Sequence, residues 1–285
     1  MSLTTERRTR WSMLPAVLAS LLIASCSGDA EPPASVESPS AETAPTTLAI
    51  SADLFNGSVS FFDLDALVAS DGTRDSALVE RLQLAPADQQ GPLTMAITAD
   101  GTRAVVLLSQ GVLAFVGERL GVDTDTLPNT GSGVVILDLT TRQVLAEFPT
   151  DDLPIMVAID ERLGHAFVSL FGEAETNGSV AVYDLAALEE VERVEVAPFV
   201  EGLALNDAGT RGAVIGATAG LYLFDPADLS GSLSDTPLRL ADDSSGVAFI
   251  SGTNRVVVAN SRNPSNYVVV VASAREEPLR RSVRV

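Results

Sequence analysis

The sequence predicts an all-β fold: a β-propeller of four-stranded blades, about five of them recognisable, in a ring that is incomplete or open. The unit is plainest between Gly91 and Phe148. Four apolar runs of strand length (93–98, 103–109, 133–139 and 143–148) alternate there with turn residues, and Asp100-Gly101 marks the first hairpin. Four antiparallel strands cannot bury both faces alone, so such a unit needs copies stacked beside it. The copies carry a shared pattern. Ala96-Ile97, Ala158-Ile159, Ala204-Leu205 and Ala248-Phe249 each set alanine before a large apolar residue, and Arg103, His165, Arg211 or Arg255 follows seven positions later. Leaving out an insertion at 110–132, the period is about 40–46 residues, as in propeller blades. In a third shared feature, an apolar run ends in aspartate at Asp63, Asp138, Asp184 and Asp225. An aspartate there bonds the backbone two residues on and reverses the chain, which is a structural role.

Taken in order, residues 1–25 read as a secretion signal: Arg7, Arg8 and Arg10 precede an apolar stretch, 13–23, too short to span a bilayer. The stretch closes on Ile23-Ala24-Ser25-Cys26, which resembles a bacterial lipobox. That resemblance implies that Cys26, the sole cysteine, is diacylated and becomes the mature N-terminus. Ser27 is not the aspartate that resembles an inner-membrane retention signal, so the expected address is the outer membrane of a two-membrane cell. Residues 26–46, rich in Ser, Ala, Pro, Glu and Thr, read as a disordered tether.

The repeat domain then occupies 47–285. Its first blade, 47–85, lacks an innermost strand and shows runs at 48–51, 58–64 and 79–84 around a helical or loop excursion. Full blades are expected at 91–148, 153–197, 200–241 and 245–285, with fourth strands such as 191–196 and 237–241. Small residues at the alanine slots suit innermost strands, where converging blades crowd one another. In the last blade Val271-Ala272-Ser273 stands where Asp-Leu is expected, and the basic segment 278–285 supplies a weak fourth strand.

GPLTMAITADGTRAVVLL, NGSVSFFDL, NGSVAVYDL and EGLALNDAGTRGAVIG together resemble the YVTN-type β-propeller repeat, over roughly residues 47–271. The family's motif ending survives best as Val256-Val257-Val258-Ala259-Asn260. The resemblance implies a propeller, usually of seven blades, that serves as a surface protein, a binding module or, in a minority, a lactone hydrolase. Five blades favour an open arc from a truncated reading frame over a ring sealed by 48–51 beside the last blade. An open arc would oligomerise through its exposed strand edges.

Composition narrows the function. A net charge of −20 on 285 residues argues against nucleic acid, whose phosphates demand a basic face. No CxxCH haem site, zinc-type His/Cys set, Gly-x-Ser-x-Gly elbow or phosphate loop occurs in the chain, and its single tryptophan, Trp11, lies in the signal. His165, the only histidine, sits in the slot held elsewhere by arginine, so a structural role is expected in place of acid–base chemistry. Asp123, Asp125 and Asn129 in the insertion at 117–133 faintly resemble a calcium loop but lack its central glycine and closing glutamate. The expectation is therefore no cofactor, no metal and no catalytic residue, with Cys26 as the lipid-attachment site. The expected function is an envelope scaffold that binds an as yet unidentified protein or glycan partner through its loops, the insertion foremost. The alternatives are a lactone hydrolase and an accessory propeller of an envelope electron-transfer system.

Overall fold

Apolar alternation and turn residues divide the chain into short meanders, in which each strand pairs antiparallel with the next. The computed structural model describes residues 47–69, 74–85, 91–109, 132–172, 175–239, 244–260, 266–273 and 276–284. Residues 1–46, with Cys26 and the expected signal and tether, and the insertion at 110–131 lie outside them.

The first sheet has three strands, β1 (Leu48–Asp53), β2 (Ser58–Asp63) and β3 (Leu78–Gln83), with short helices α1 (Leu64–Ala69) and α2 (Arg74–Ala77) before β3. The second has four: β4 (Pro92–Ile97), β5 (Arg103–Leu108), β6 (Ser132–Asp138) and β7 (Gln143–Thr150). The third repeats it as β8 (Pro154–Asp160), β9 (His165–Leu170), β10 (Gly178–Asp184) and β11 (Glu189–Ala197). The fourth stops at three strands, β12 (Val200–Leu205), β13 (Gly212–Gly216) and β14 (Gly220–Phe224), followed by α3 (Leu229–Ser232). The fifth again has four: β15 (Ser244–Phe249), β16 (Arg255–Asn260), β17 (Asn266–Ser273) and β18 (Glu276–Arg284).

Period-two alternation explains how the sheets stack, because successive side chains of a strand leave on opposite faces. Ala104 and Val106 of β5 pack against Val59 and Phe61 of the first sheet. Val105 and Leu107, which alternate with them in sequence, pack against Ala166, Val168 and Leu170 of the third. Phe167 of β9 turns the other way, onto Val214 and Phe224 of the fourth sheet. Ala213 and Ile215 of β13 meet Val256 and Val258 of the fifth. β2, β5, β6, β9, β10 and β13 are thus buried on both faces, and each fully buried Val, Leu or Phe contributes about 1.5–3 kcal/mol. On the outermost strands β7 and β11, exposed and half-buried residues alternate, as on a solvated rim.

The first strands of the four later sheets stand side by side, β4 next to β8, β8 to β12 and β12 to β15, and β1 lies beside β4. Four of them share a bulge at their second residue, where pairing slips past Leu93, Ile155, Glu201 and Ser245.

Two expectations need correction. The fourth strand expected at 237–241 is absent among the described residues, and Leu238 makes only an isolated bridge to Leu221. Asp225-Pro226 opens a turn, and the Asp228 side chain then accepts from the Gly231 N–H to start α3, which takes up the chain that would have paired. The alanine slots are also not crowded positions: Ala96, Ala158 and Ala204 are half-buried and Ala248 is exposed. Close packing lies between the middle strands, while β4 and β8 are mostly half-buried.

Candidate binding surface at the turn end of the sheets

First-to-second and third-to-fourth strand turns all fall at one end of the sheets. Second-to-third connections and the links between sheets fall at the other. The first-to-second turns are rigid for local reasons. Gly101, Gly164, Gly209 and Gly252 take φ of 63–69°, a left-handed conformation natural to glycine. Asp100 accepts from the Thr98 and Thr102 hydroxyls and the Thr102 N–H. Those bonds, the Thr98 hydroxyl first, hold its carboxyl below the ordinary carboxylate range. Asn206 does the equivalent work in the fourth sheet, accepting from the N–H groups of Thr210 and Arg211.

Neighbouring turns are also stitched to one another. The Glu161 carboxylate accepts from the Ala99 N–H at 2.7 Å, joining the second and third sheets. Arg162 pairs with buried Asp160 and donates to the Gly209 carbonyl at 3.0 Å, joining the third and fourth. Asp207 accepts from the Ser251 hydroxyl at 2.6 Å and the Gly252 N–H at 2.8 Å, and Asn206 donates to Asn254 at 2.7 Å, joining the fourth and fifth. The Ser251 hydroxyl and Gly252 N–H lower the Asp207 pKa, so it stays charged at any physiological pH.

Two clefts open in this belt. One, about 380 Å³, lies between the turns of the third and fourth sheets and is lined by residues of 158–162 and 205–209. The other, about 290 Å³, lies between the fourth and fifth and is lined by Asn206, Asp207, Ala208, Thr210, Gly252, Thr253 and Asn254. Asp160, Glu161, Asn206 and Asp207 line the first beside Ile159 and Leu205, and Asn206, Asp207, Thr210 and Asn254 line the second, whereas small-molecule pockets are mostly apolar. Such shallow polar clefts suit hydrogen bonding to a partner's surface. No group of three or more His, Cys, Asp or Glu suited to a metal occurs among the described residues.

The third-to-fourth turns bear out the aspartate pattern. Asp138 accepts from the N–H groups of Thr140 and Thr141, and Asp184 from those of Ala186 and Ala187. These backbone bonds keep both carboxyls below their usual pKa. Asp63 and Asp225 accept from Ala66 and Ala227 in the same way. The basic slot faces this aspartate across the sheet. Arg103 is in register with Asp138 and His165 with Asp184, the His165 Nε2 lying 3.7 Å from the Asp184 Oδ2. In the fifth sheet Arg255 faces Val271, because the aspartate is missing there. His165 thus holds a position that faces an aspartate in more than one sheet.

One residue escaped the sequence reading. Glu201 occupies the bulge position of β12, where β4 has Leu93 and β8 has Ile155. Its half-buried carboxylate has no hydrogen bond or ion pair among the described residues. Burial alone pushes its pKa up to about 7. Its position, three residues before the alanine slot, was visible in the repeat alignment. What was not visible is that a bulge aims this position away from the regular ladder.

No family model matches the chain, and no curated protein matches it. Solved structures do. A chain of hydrazine synthase from Kuenenia stuttgartiensis is 16% identical with a TM-score of 0.53, the match covering 79% of this chain and 59% of that one. A functionally unknown protein from Desulfotomaculum acetoxidans DSM 771 is 14% identical with a TM-score of 0.60, covering 84% and 66%. This chain therefore spans about two thirds or less of these neighbours' lengths. The likeness is one of fold. At such identities it says nothing of activity.

Proposed function

We propose that the chain is a five-bladed propeller or propeller arc of the YVTN-repeat type, anchored to the envelope by lipid at Cys26. On this reading it is a scaffold that binds a protein or glycan partner. The stitched turn end carries the proposal: the carboxylates and amides around the clefts are already held in place, so binding there costs little ordering. The serial stacking of small meanders supports the propeller form, and the lipobox resemblance supports the address. In a two-membrane cell the address is the outer membrane. Pull-down of the lipidated protein from its native envelope tests the function. Wild type is expected to bring down a partner that Asp207→Ala loses while remaining folded. Cys26→Ser is expected to release the protein from membranes or leave it unprocessed, and unchanged anchorage would remove the lipoprotein part of the reading.

A hydrolytic reading is favoured by one observation, the half-buried Glu201 carboxylate on a first strand, without a partner among the described residues and poised to exchange a proton near neutrality. A panel of lactones incubated with wild type and Glu201→Gln separates the two. Turnover that the variant abolishes would replace the scaffold reading.

A further inference from the structure

The repeat itself shows what the first sheet lacks. In the four later sheets the second strand lies between a first and a third strand, as β9 lies between β8 and β10. β1 occupies the place of β9, yet it pairs with β2 alone among the described residues. Burial registers the difference. β9 is buried from Ala166 to Leu170 and β5 from Ala104 to Leu107, whereas Leu48 to Ala52 of β1 are all only half-buried.

The phase of the ladder tells which amides have no strand partner among the described residues. The Leu64 N–H donates to the Thr47 carbonyl, so Thr47 and Leu64 form a hydrogen-bonded pair, and such pairs recur at every second residue. Ala49, Ser51 and Asp53 therefore point their amides at β2, while Leu48, Ile50 and Ala52 point theirs at the open edge.

A side-chain site lies beside this backbone edge. In the later sheets each first strand covers the next, so Ile159, Leu205 and Phe249 are half-buried. Ile97 of β4 holds the same slot with only the three-stranded sheet before it, and it is 44% exposed.

We propose that the edge of β1 takes up an extended segment of another polypeptide, added antiparallel as the missing first strand. Main-chain bonds to Leu48, Ile50 and Ala52 supply affinity, and the side chain that covers Ile97 supplies selectivity. The later sheets show the chemistry that fits: a six- or seven-residue strand, apolar, with a small residue opposite Ile50, as Ala158 stands opposite Phe167 of β9. The residues just before β1 do not fit, because 27–46 is built mostly of Ser, Ala, Pro, Glu and Thr and offers no apolar run of six residues. This inference rests on the geometry of the first sheet and stands whether or not the turn-end reading holds.

The probe is a peptide copying residues 153–161, LPIMVAIDE, added to the purified full-length protein, with hydrogen exchange read at single amides. Leu48, Ile50 and Ala52 are expected to exchange at least tenfold more slowly with peptide bound, and Ala49 and Ser51 to change little. The same peptide with alternate backbone nitrogens methylated is expected to have no effect. Ala52→Pro is expected to keep the fold and lose the peptide, since that amide does not bond β2. Protection that grows with protein concentration in the absence of peptide also supports the proposal and makes a second copy the donor. The proposal is overturned if the three amides are already protected in dilute monomer, which would mean the chain's own residues fill the edge. It is equally overturned if the unmethylated peptide leaves them unchanged at millimolar concentration.

Discussion

The third and fourth sheets are built on one template, which the third keeps and the fourth departs from. In the third, the bulge position holds Ile155, the fourth strand β11 runs nine residues, and His165 faces Asp184. In the fourth, the bulge holds Glu201, and α3 with a single bridge at Leu238 replaces the fourth strand. Their shared middle strands are alike: Phe167 and Val182 of one meet Val214 and Phe224 of the other in a fully apolar seam. The difference teaches where this repeat tolerates change. Middle strands are buried on both faces and admit apolar residues and small serines such as Ser60, Ser169 and Ser179, while the bulge on the first strand and the fourth strand are free to carry chemistry.

The seam between the two sheets should be the costliest place to break. The Phe167 and Phe224 rings lie 5.8 Å apart, both essentially without exposure. Phe167→Ala is expected to lower stability by about 3–5 kcal/mol, read from the denaturant midpoint. A cost below about 1 kcal/mol would mean that the sheets do not depend on this seam.

The bulge comes next. Glu201 has a folded pKa of about 7, above its ordinary value of 4.5, so the folded state binds the proton more tightly. Its penalty is absent below pH 4.5 and grows as pH rises through 7, reaching about 3 kcal/mol at full ionisation. Wild type should lose stability between pH 5 and 8. Glu201→Gln should flatten that slope, and Glu201→Leu, which restores the residue type of β4, should be the more stable protein at pH 8. Parallel melting curves for wild type and Glu201→Gln across this range would contradict the burial assigned to the side chain.

Much of the template was legible in the sequence, for physical reasons. Strands 103–109 and 133–139 show themselves by apolar runs between turn residues, and the Asp-Leu turns by their local hydrogen bonding. Contacts between turns were not legible. Glu161 reaches Ala99, and Asp207 reaches Ser251, across gaps of 62 and 44 positions that no local pattern encodes. The loss of the fourth sheet's last strand was hidden too, because Leu238 and Leu240 alternate as a strand would while Asp225-Pro226 and Asp228 redirect the chain before it.

A smaller effect is expected in the turn belt. A methyl group added at Gly209 would lie 2.6 Å from the Asp160 Oδ1, on a backbone with φ of 63°. Gly209→Ala should therefore cost about 1–3 kcal/mol and loosen the third turn from the fourth. Smallest of all is His165→Arg, which copies the Arg103–Asp138 pairing of the second sheet. A change within about 1 kcal/mol is expected in thermal melting, and a larger loss would show that His165 does more than face Asp184.

The functional claim concerns which end of the sheets meets a partner. Hydrogen exchange of the full-length protein, alone and with the partner recovered from its envelope, tests that most directly. Protection is expected at the turn end, around Ala99, Glu161, Asp207 and Ser251, with little change near Glu201. Protection confined to the opposite end, around Val200 and Glu201, with the turns unchanged, would contradict the account.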